Sequence, residues 1–251
     1  MKIGIVLSAT LLALVAACTK TETLPVPGRG ENRMLSYTIT SVPDGVAPVV
    51  GAIDDADSTI TVYLSSWYGL IAMTPQINVP AGATVSPASG ATVTNLLSMM
   101  RKDSTITYLV TAKDGSKKNY TLHVRSLQPQ TKIDEISTSV DNPKLVTIYP
   151  KYGANGYGVV ALKGSNFLTA NRSTLTRMTF TDSANNIIDI PYTGEGVSET
   201  ALTPTALSYR IYPTNTDLLN KLVNNAVYYV TFYNYGEQIK LKYPIRFRIS
   251  N

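Results

Sequence analysis

The chain has 251 residues with one cysteine and one histidine, and its 22 Lys and Arg against 17 Asp and Glu give a formal charge of +5. One cysteine excludes an internal disulfide, and one histidine with one cysteine excludes a zinc site of the usual ligand spacing. The positive balance is mild and has no dense run, which excludes a clustered nucleic-acid interface, and the length allows one or two domains held together by burial.

Residues 1–17 carry Met1-Lys2, an apolar run over 3–15, and the small pair Ala16-Ala17 before Cys18. A positive tip, a short apolar segment and small residues at a cut are the parts of a secretory leader. The run is shorter than the roughly 20 residues a spanning helix needs. Val15-Ala16-Ala17-Cys18 resembles the bacterial lipobox; the alternative is an ordinary leader with a cysteine beside its cut. The resemblance implies that 1–17 is a lipoprotein signal peptide, that Cys18 is lipidated, and that the N-terminal lipid holds the protein on a membrane. The expected address is the cell envelope, on the outer membrane, at either the surface-exposed or the periplasmic face. Lipidation also removes a free thiol that would be a liability in an exported protein. Loss of Lys2 lowers the formal charge by one. Residues 18–33 are polar, with Pro25, Pro27, Gly28 and Gly30, and read as a flexible tether.

From Met34 onward, short runs alternate apolar and polar residues. Ile60, Val62 and Leu64 alternate in one run, Ile106, Tyr108 and Val110 in a second, and Tyr120, Leu122 and Val124 in a third. Period two with one apolar face predicts strands lying on a core. The last two runs flank Lys113-Asp114-Gly115-Ser116, and Asp-Gly predicts a hairpin over 104–125. The Pro- and Gly-punctuated stretch 77–95 predicts short edge strands and bends. SLQPQTK at 126–132 reads as a boundary. Beyond it, runs at 135–140, 144–150, 156–164, 175–182, 187–192, 207–213, 226–234 and 239–249 predict more strands. One helix is predicted after Thr214-Asn215-Thr216, where Leu218, Leu219, Leu222 and Val223 recur at helical spacing. The expectation is an all-β chain of two tandem β-sandwich domains, 34–127 and 133–251, with one short helix in the second.

Two resemblances attach to these stretches. Ile53-Asp54-Asp55, Thr59-Ile60-Thr61-Val62, Thr74-Pro75-Gln76-Ile77, the GATVSPASG at 82–90 and the hairpin at 108–124 resemble the DUF5018-type β-domain of Bacteroidetes lipoproteins. Ile148-Tyr149-Pro150, the glycines 153, 156 and 158, and Gly164-Ser165-Asn166-Phe167 resemble an IPT/TIG-type immunoglobulin-like domain. Both imply Ig-like sandwich modules, and neither implies one activity.

Chemistry-bearing constellations are few. Nucleophilic catalysis needs a base beside the nucleophile, and His123 sits among Thr121 and Arg125 on the solvent side of its strand. Glu195 and Glu199 are the only close glutamates and would be the carboxylates of a hydrolase, but their Gly/Ser setting reads as a loop. Asp54, Asp55 and Asp57 have oxygen ligands for calcium but lack the glycine and distal glutamate of a calcium loop, so a solvated turn is expected. No catalytic residue, metal or cofactor is called for. The aromatics point to binding. Trp67 and Tyr68 sit in SSWYGL, Tyr149, Tyr152 and Tyr157 in a Gly-rich loop, and a third set runs through 228–235. Exposed rings stack on sugar C–H faces or on protein partners, whereas alternating positions such as Tyr228 and Phe232 suit a core. Trp67, Tyr68, Tyr152 and Tyr157 are therefore the candidate ligand contacts. Ser58, Ser104 and Ser183 follow aspartates in triplets that match the acceptor pattern of Bacteroidetes O-glycosylation. The leading expectation is a non-enzymatic envelope lipoprotein that binds polysaccharide in an uptake system. The alternative is an adhesion or assembly subunit with an envelope protein as its partner.

Overall fold

A computed structural model describes residues 30–169, 175–190 and 203–250. Cys18, most of the tether, and Glu195 and Glu199 lie outside the described residues. Glu31–Asn251 forms one compact unit.

In chain order its first half holds β1 (Ser36–Ile39), β2 (Val49–Val50), β3 (Ala52–Asp54), β4 (Thr59–Ser65), a 3-10 turn at Ser66–Tyr68, β5 (Pro75–Asn78) and β6 (Thr84–Ser86), then α1 (Leu96–Met100), β7 (Ile106–Thr111) and β8 (Lys117–Leu127). The second half holds β9 (Lys132–Ile133), β10 (Lys144–Ile148), a 3-10 segment at Pro150–Gly156, β11 (Gly158–Ser165), β12 (Thr176–Thr181) and β13 (Ile187–Ile190). It continues with β14 (Ala206–Ile211), α2 (Thr216–Leu219), β15 (Val227–Asn234), β16 (Glu237–Lys240) and β17 (Ile245–Ile249).

Alternation in the sequence becomes two buried faces. The sheet β2-β1-β5 packs on β3-β4-β8-β7-β6, with Ile60, Val62 and Leu64 of β4 buried and Tyr63 turned outward. Tyr37 and Tyr108 meet across this core, ring centroids 5.5 Å apart and hydroxyls 3.1 Å apart. Burial there pushes both hydroxyl pKa values up, because the anion would lose its water. The second core lies between β10-β17-β15-β12-β13, which also carries β16 on β15, and β14-β11-β9. Phe180 and Phe247 cross inside it at 88° and 5.1 Å, the edge-to-face arrangement that aromatic quadrupoles favour. The chain thus adopts the expected all-β class, with a sandwich core in each half.

Two pairings that alternation cannot reveal organise these sheets. β4 pairs β8 in parallel over the whole of Thr59–Ser65, and β10 pairs β17 in parallel. Parallel neighbours need a long crossover, and β5, β6, α1 and β7 supply the first.

The halves meet at the turn between β15 and β16. Tyr235 and Leu175 are buried in the first core although they belong to the second half. The Tyr235 hydroxyl donates to the Leu70 carbonyl at 2.9 Å, and Arg101 Nε donates to the Tyr235 carbonyl at 2.8 Å. Gln128 Nε2 donates to the Asn234 carbonyl at 2.9 Å, and Gln128 Oε1 accepts from Gly236 N at 3.1 Å. Asn234 is fully buried and bonds to Thr131, Asn166 and Leu168.

Two local expectations are corrected, and the expected hairpin over 104–125 forms, β7 pairing β8 antiparallel. The run at 135–140 is not a strand. Ser137 Oγ donates to the Pro244 carbonyl at 2.7 Å and accepts from Lys144 N at 2.8 Å, and Asn142 bonds to Ser139 and Thr138; side chains of this kind compete with a ladder for backbone groups. The run at 239–249 is two strands, because Glu135 takes the amides of Lys242 and Tyr243 and Pro244 has no amide to donate. The hairpin closes with the longer loop 112–116, in which Gly115 takes a positive φ of 85° and Asp114 accepts from Ser116 N at 2.9 Å.

Candidate functional site

Trp67 stands on a rigid corner. β4 ends at Ser65, whose Oγ accepts the Trp67 amide at 3.3 Å. Gly69 then closes the turn in the left-handed region, at φ 59°, and donates to the Ser66 carbonyl at 3.1 Å; only glycine does this without strain. Leu70 is held in turn by Tyr235. The outcome is an indole that is 83% exposed on backbone fixed at both ends. Tyr68 beside it is half-buried.

The parallel register extends this corner along the outer face of the sheet. Tyr63 lies opposite Arg125, Thr61 opposite His123, and Ser65 opposite Leu127. Tyr63 and Leu127 are exposed, so rings, an aliphatic side chain and a guanidinium share one face. Where β7 stops at Ile106, the edge of β8 is open, and an open cavity of about 240 Å³ forms there. It is lined by Lys102, Ser104, Thr105, His123 and Arg125, with Met99 among its apolar walls. Sequence reading placed His123 in solvent; it is half-buried on this groove.

A second aromatic group lies at the other end of the second half. β10 ends at Ile148, β11 begins at Gly158 and β14 ends at Ile211, and these ends coincide because Gly158 pairs Ile211 and the Tyr149 amide bonds to the Gly156 carbonyl at 2.7 Å. Tyr149 and Tyr152 are exposed, with centroids 5.8 Å apart. Tyr157 packs on Tyr212 at 5.5 Å, with the Arg210 guanidinium 4.8 Å from the Tyr157 ring. Tyr212 escaped sequence reading because it ends an alternating strand; its place after Arg210 and before Pro213 was the available signal. β11 spans about 23 Å from this end to the junction at ~3.3 Å per residue.

The remaining candidates fall elsewhere. Tyr228, Tyr233 and Tyr235 are buried. The acidic turn is a structural latch: Asp54 accepts the amides of Ala56 and Asp57, while Asp55 accepts from the Tyr120 hydroxyl and pairs with Lys118 Nζ at 3.6 Å. Ser58 sits in the turn before β4 with φ 55°, half-buried. Ser104 is half-buried and accepts from Asn95 Nδ2 at 3.1 Å. Ser183 is exposed, in a turn where Asp182 accepts from the Asn186 side-chain amide at 2.9 Å and from the backbone amides of Asn186 and Ala184; those bonds, the Asn186 side chain first, hold the Asp182 carboxyl below its ordinary range.

Residues 34–124 match the family model described as SGBP, N-terminal, a family of surface glycan-binding proteins. No curated protein matches the chain. Among solved structures, one described as a glycoside hydrolase from Bacteroides thetaiotaomicron is 15% identical, with 86% of this chain and 80% of that chain covered and a TM-score of 0.31. The N-terminal four Ig domains of Dscam1 isoform 6.9 are 10% identical, with 87% of this chain and 53% of that chain covered and a TM-score of 0.22. The Ig1-2 module of the Drosophila receptor protein tyrosine phosphatase DLAR is 10% identical over 72% of this chain and 89% of that one, also with a TM-score of 0.22. Likenesses this low transfer no activity.

Proposed function

We propose that the chain is a non-enzymatic, lipid-anchored glycan-binding protein of the cell surface. In this reading Cys18 carries the lipid, residues 18–33 form the tether, and the DUF5018-like and IPT/TIG-like halves present aromatic platforms to a polysaccharide. The observation that carries it is Trp67, an indole left 83% exposed on a corner whose backbone is bonded at both ends. An exposed ring gains nothing from the hydrophobic effect in the free protein, whereas a preorganised ring loses little freedom when a sugar stacks on it. The match of residues 34–124 to a glycan-binding family supports the same class. Tyr68 flanks that ring, and Tyr152 and Tyr157 with Tyr149 and Tyr212 form the second platform.

Affinity electrophoresis through gels containing single polysaccharides tests this. Wild type is retarded by at least one of them, and Trp67→Ala loses about tenfold or more in affinity, the scale of one aromatic contact worth ~1.4 kcal/mol. Equal mobility of wild type and variant in every gel overturns the assignment of Trp67. A second reading rests on Leu127 and Ile71, both exposed near the indole. These would suit a protein partner, which would co-purify stoichiometrically from detergent-solubilised envelope.

A further inference from the structure

The groove beside β8 is not explained by stacking alone. α1 ends in a Schellman motif: the Lys102 amide bonds to the Met99 carbonyl at 3.1 Å and the Asp103 amide to the Ser98 carbonyl at 2.8 Å. The residue at the left-handed position of that motif is normally glycine. Here it is Lys102, with φ 66°, a conformation that strains a side-chain-bearing residue. Glycine would relieve the strain and leave the motif intact, so the structure keeps an ammonium at a position where the backbone prefers none. That ammonium lines the same groove as Arg125 and His123. Among the described residues the one ion pair is Lys118 with Asp55, so neither Lys102 nor Arg125 is in a salt bridge there. Asp103, next along the chain, is exposed and is not among the residues lining the groove. Tyr63 lies opposite Arg125 in the parallel ladder, one strand spacing away at about 4.8 Å. A sugar stacked on the exposed Tyr63 ring therefore has the Arg125 side chain beside it on the neighbouring strand.

We propose that this groove receives the anionic group of an acidic polysaccharide, with the sugar ring on Tyr63 and its carboxylate or sulfate between Arg125 and Lys102. Ser104 and Thr105 supply hydroxyls to the same group. The inference rests on the glycan-binding reading and narrows it to uronate-bearing or sulfated chains. An arginine takes such groups in bidentate fashion, and charge-assisted bonds are the strong ones.

The test uses the full chain in affinity gels containing polygalacturonate, dextran sulfate or neutral dextran. We expect retardation by polygalacturonate or by dextran sulfate; which of the two it is identifies carboxylate or sulfate as the group bound. Arg125→Ala and Lys102→Gly each weaken that retardation about tenfold or more, while Lys163→Ala, on β11 of the other half, leaves it unchanged. Lys102→Gly also leaves the Tm unchanged or higher, which separates loss of a ligand contact from loss of fold. Retardation by an acidic polymer that survives both groove substitutions, or that Lys163→Ala reduces equally, is general cation exchange and overturns the proposal. Binding of neutral dextran alone overturns it and leaves the glycan reading standing. Retardation by none of these polymers overturns the proposal, and the glycan reading is then judged on other polysaccharides through Trp67→Ala.

Discussion

Asp55 shows how one residue of a turn can hold two elements. It accepts from the Tyr120 hydroxyl and pairs with Lys118, whose ammonium also lies 5.2 Å from the Tyr120 ring. Burial, then the neighbouring Asp55, pushes the Tyr120 pKa up to about 12. Asp55→Ala leaves that hydroxyl without its acceptor, and a loss of ~1–3 kcal/mol is expected, read as a lower urea midpoint at unchanged m-value. Tyr37, Tyr108 and Tyr235 are pushed upward by burial as well. Each of these four tyrosines therefore holds its proton more tightly in the folded than in the unfolded chain. The stability this contributes is complete below the unfolded tyrosine value near ~10 and is lost as pH rises through the folded values. Thermal scans should give a level Tm from neutral pH to about 9 and a steep fall above ~10, with tyrosinate absorbance rising together with unfolding. A Tm that stays level to about pH 11 or above would contradict this.

At the scale of the element, close approach of backbones decides what is tolerated. A Cβ on Gly164 would lie 1.9 Å from the Lys132 carbonyl oxygen, where β9 pairs β11. Gly164→Ala should cost ~1–3 kcal/mol through forced separation of the strands, measurable by chemical denaturation. The strand β11 that holds this glycine was legible in the sequence, as were β4, β7 and β8, because each shows period two over enough residues to name its buried face. α1 was not, since five residues are too few for a helical period to register against the bends around them. The non-strand at 135–140 was misread because Ser137 and Asn142 act through side-chain bonds to partners such as Pro244, 107 residues from Ser137 in sequence. The candidate site was legible in part. Trp67 and the tyrosine loop declare themselves by composition, whereas the groove forms where β7 stops short of β8 beside the end of α1, and Tyr63 neighbours Arg125 because β4 and β8 run parallel. No local pattern encodes a pairing between residues 63 and 125.

Across the described unit, the halves share more than a linker. Tyr235 fills the first core from the second half, and the carbonyls on either side of the Asn234–Tyr235 bond are held by Gln128 and Arg101. A single cooperative transition is expected in calorimetry. Tyr235→Ala should remove ~3–5 kcal/mol and separate the scan into two transitions; a single sharp transition in that variant would show that the coupling runs elsewhere. The placement of the first strand has a mechanical consequence. Met34 donates to Tyr120 at the end of the first half away from the junction, and β1 runs from there toward the junction against β5, with four register pairs. A pull on Met34 along the axis of β1, with β5 held, runs with the strand and not across it. It loads all four pairs at once, in shear, and no pair can peel ahead of the others. The strand nearest the proposed leash thus meets such a load in its stiffer direction.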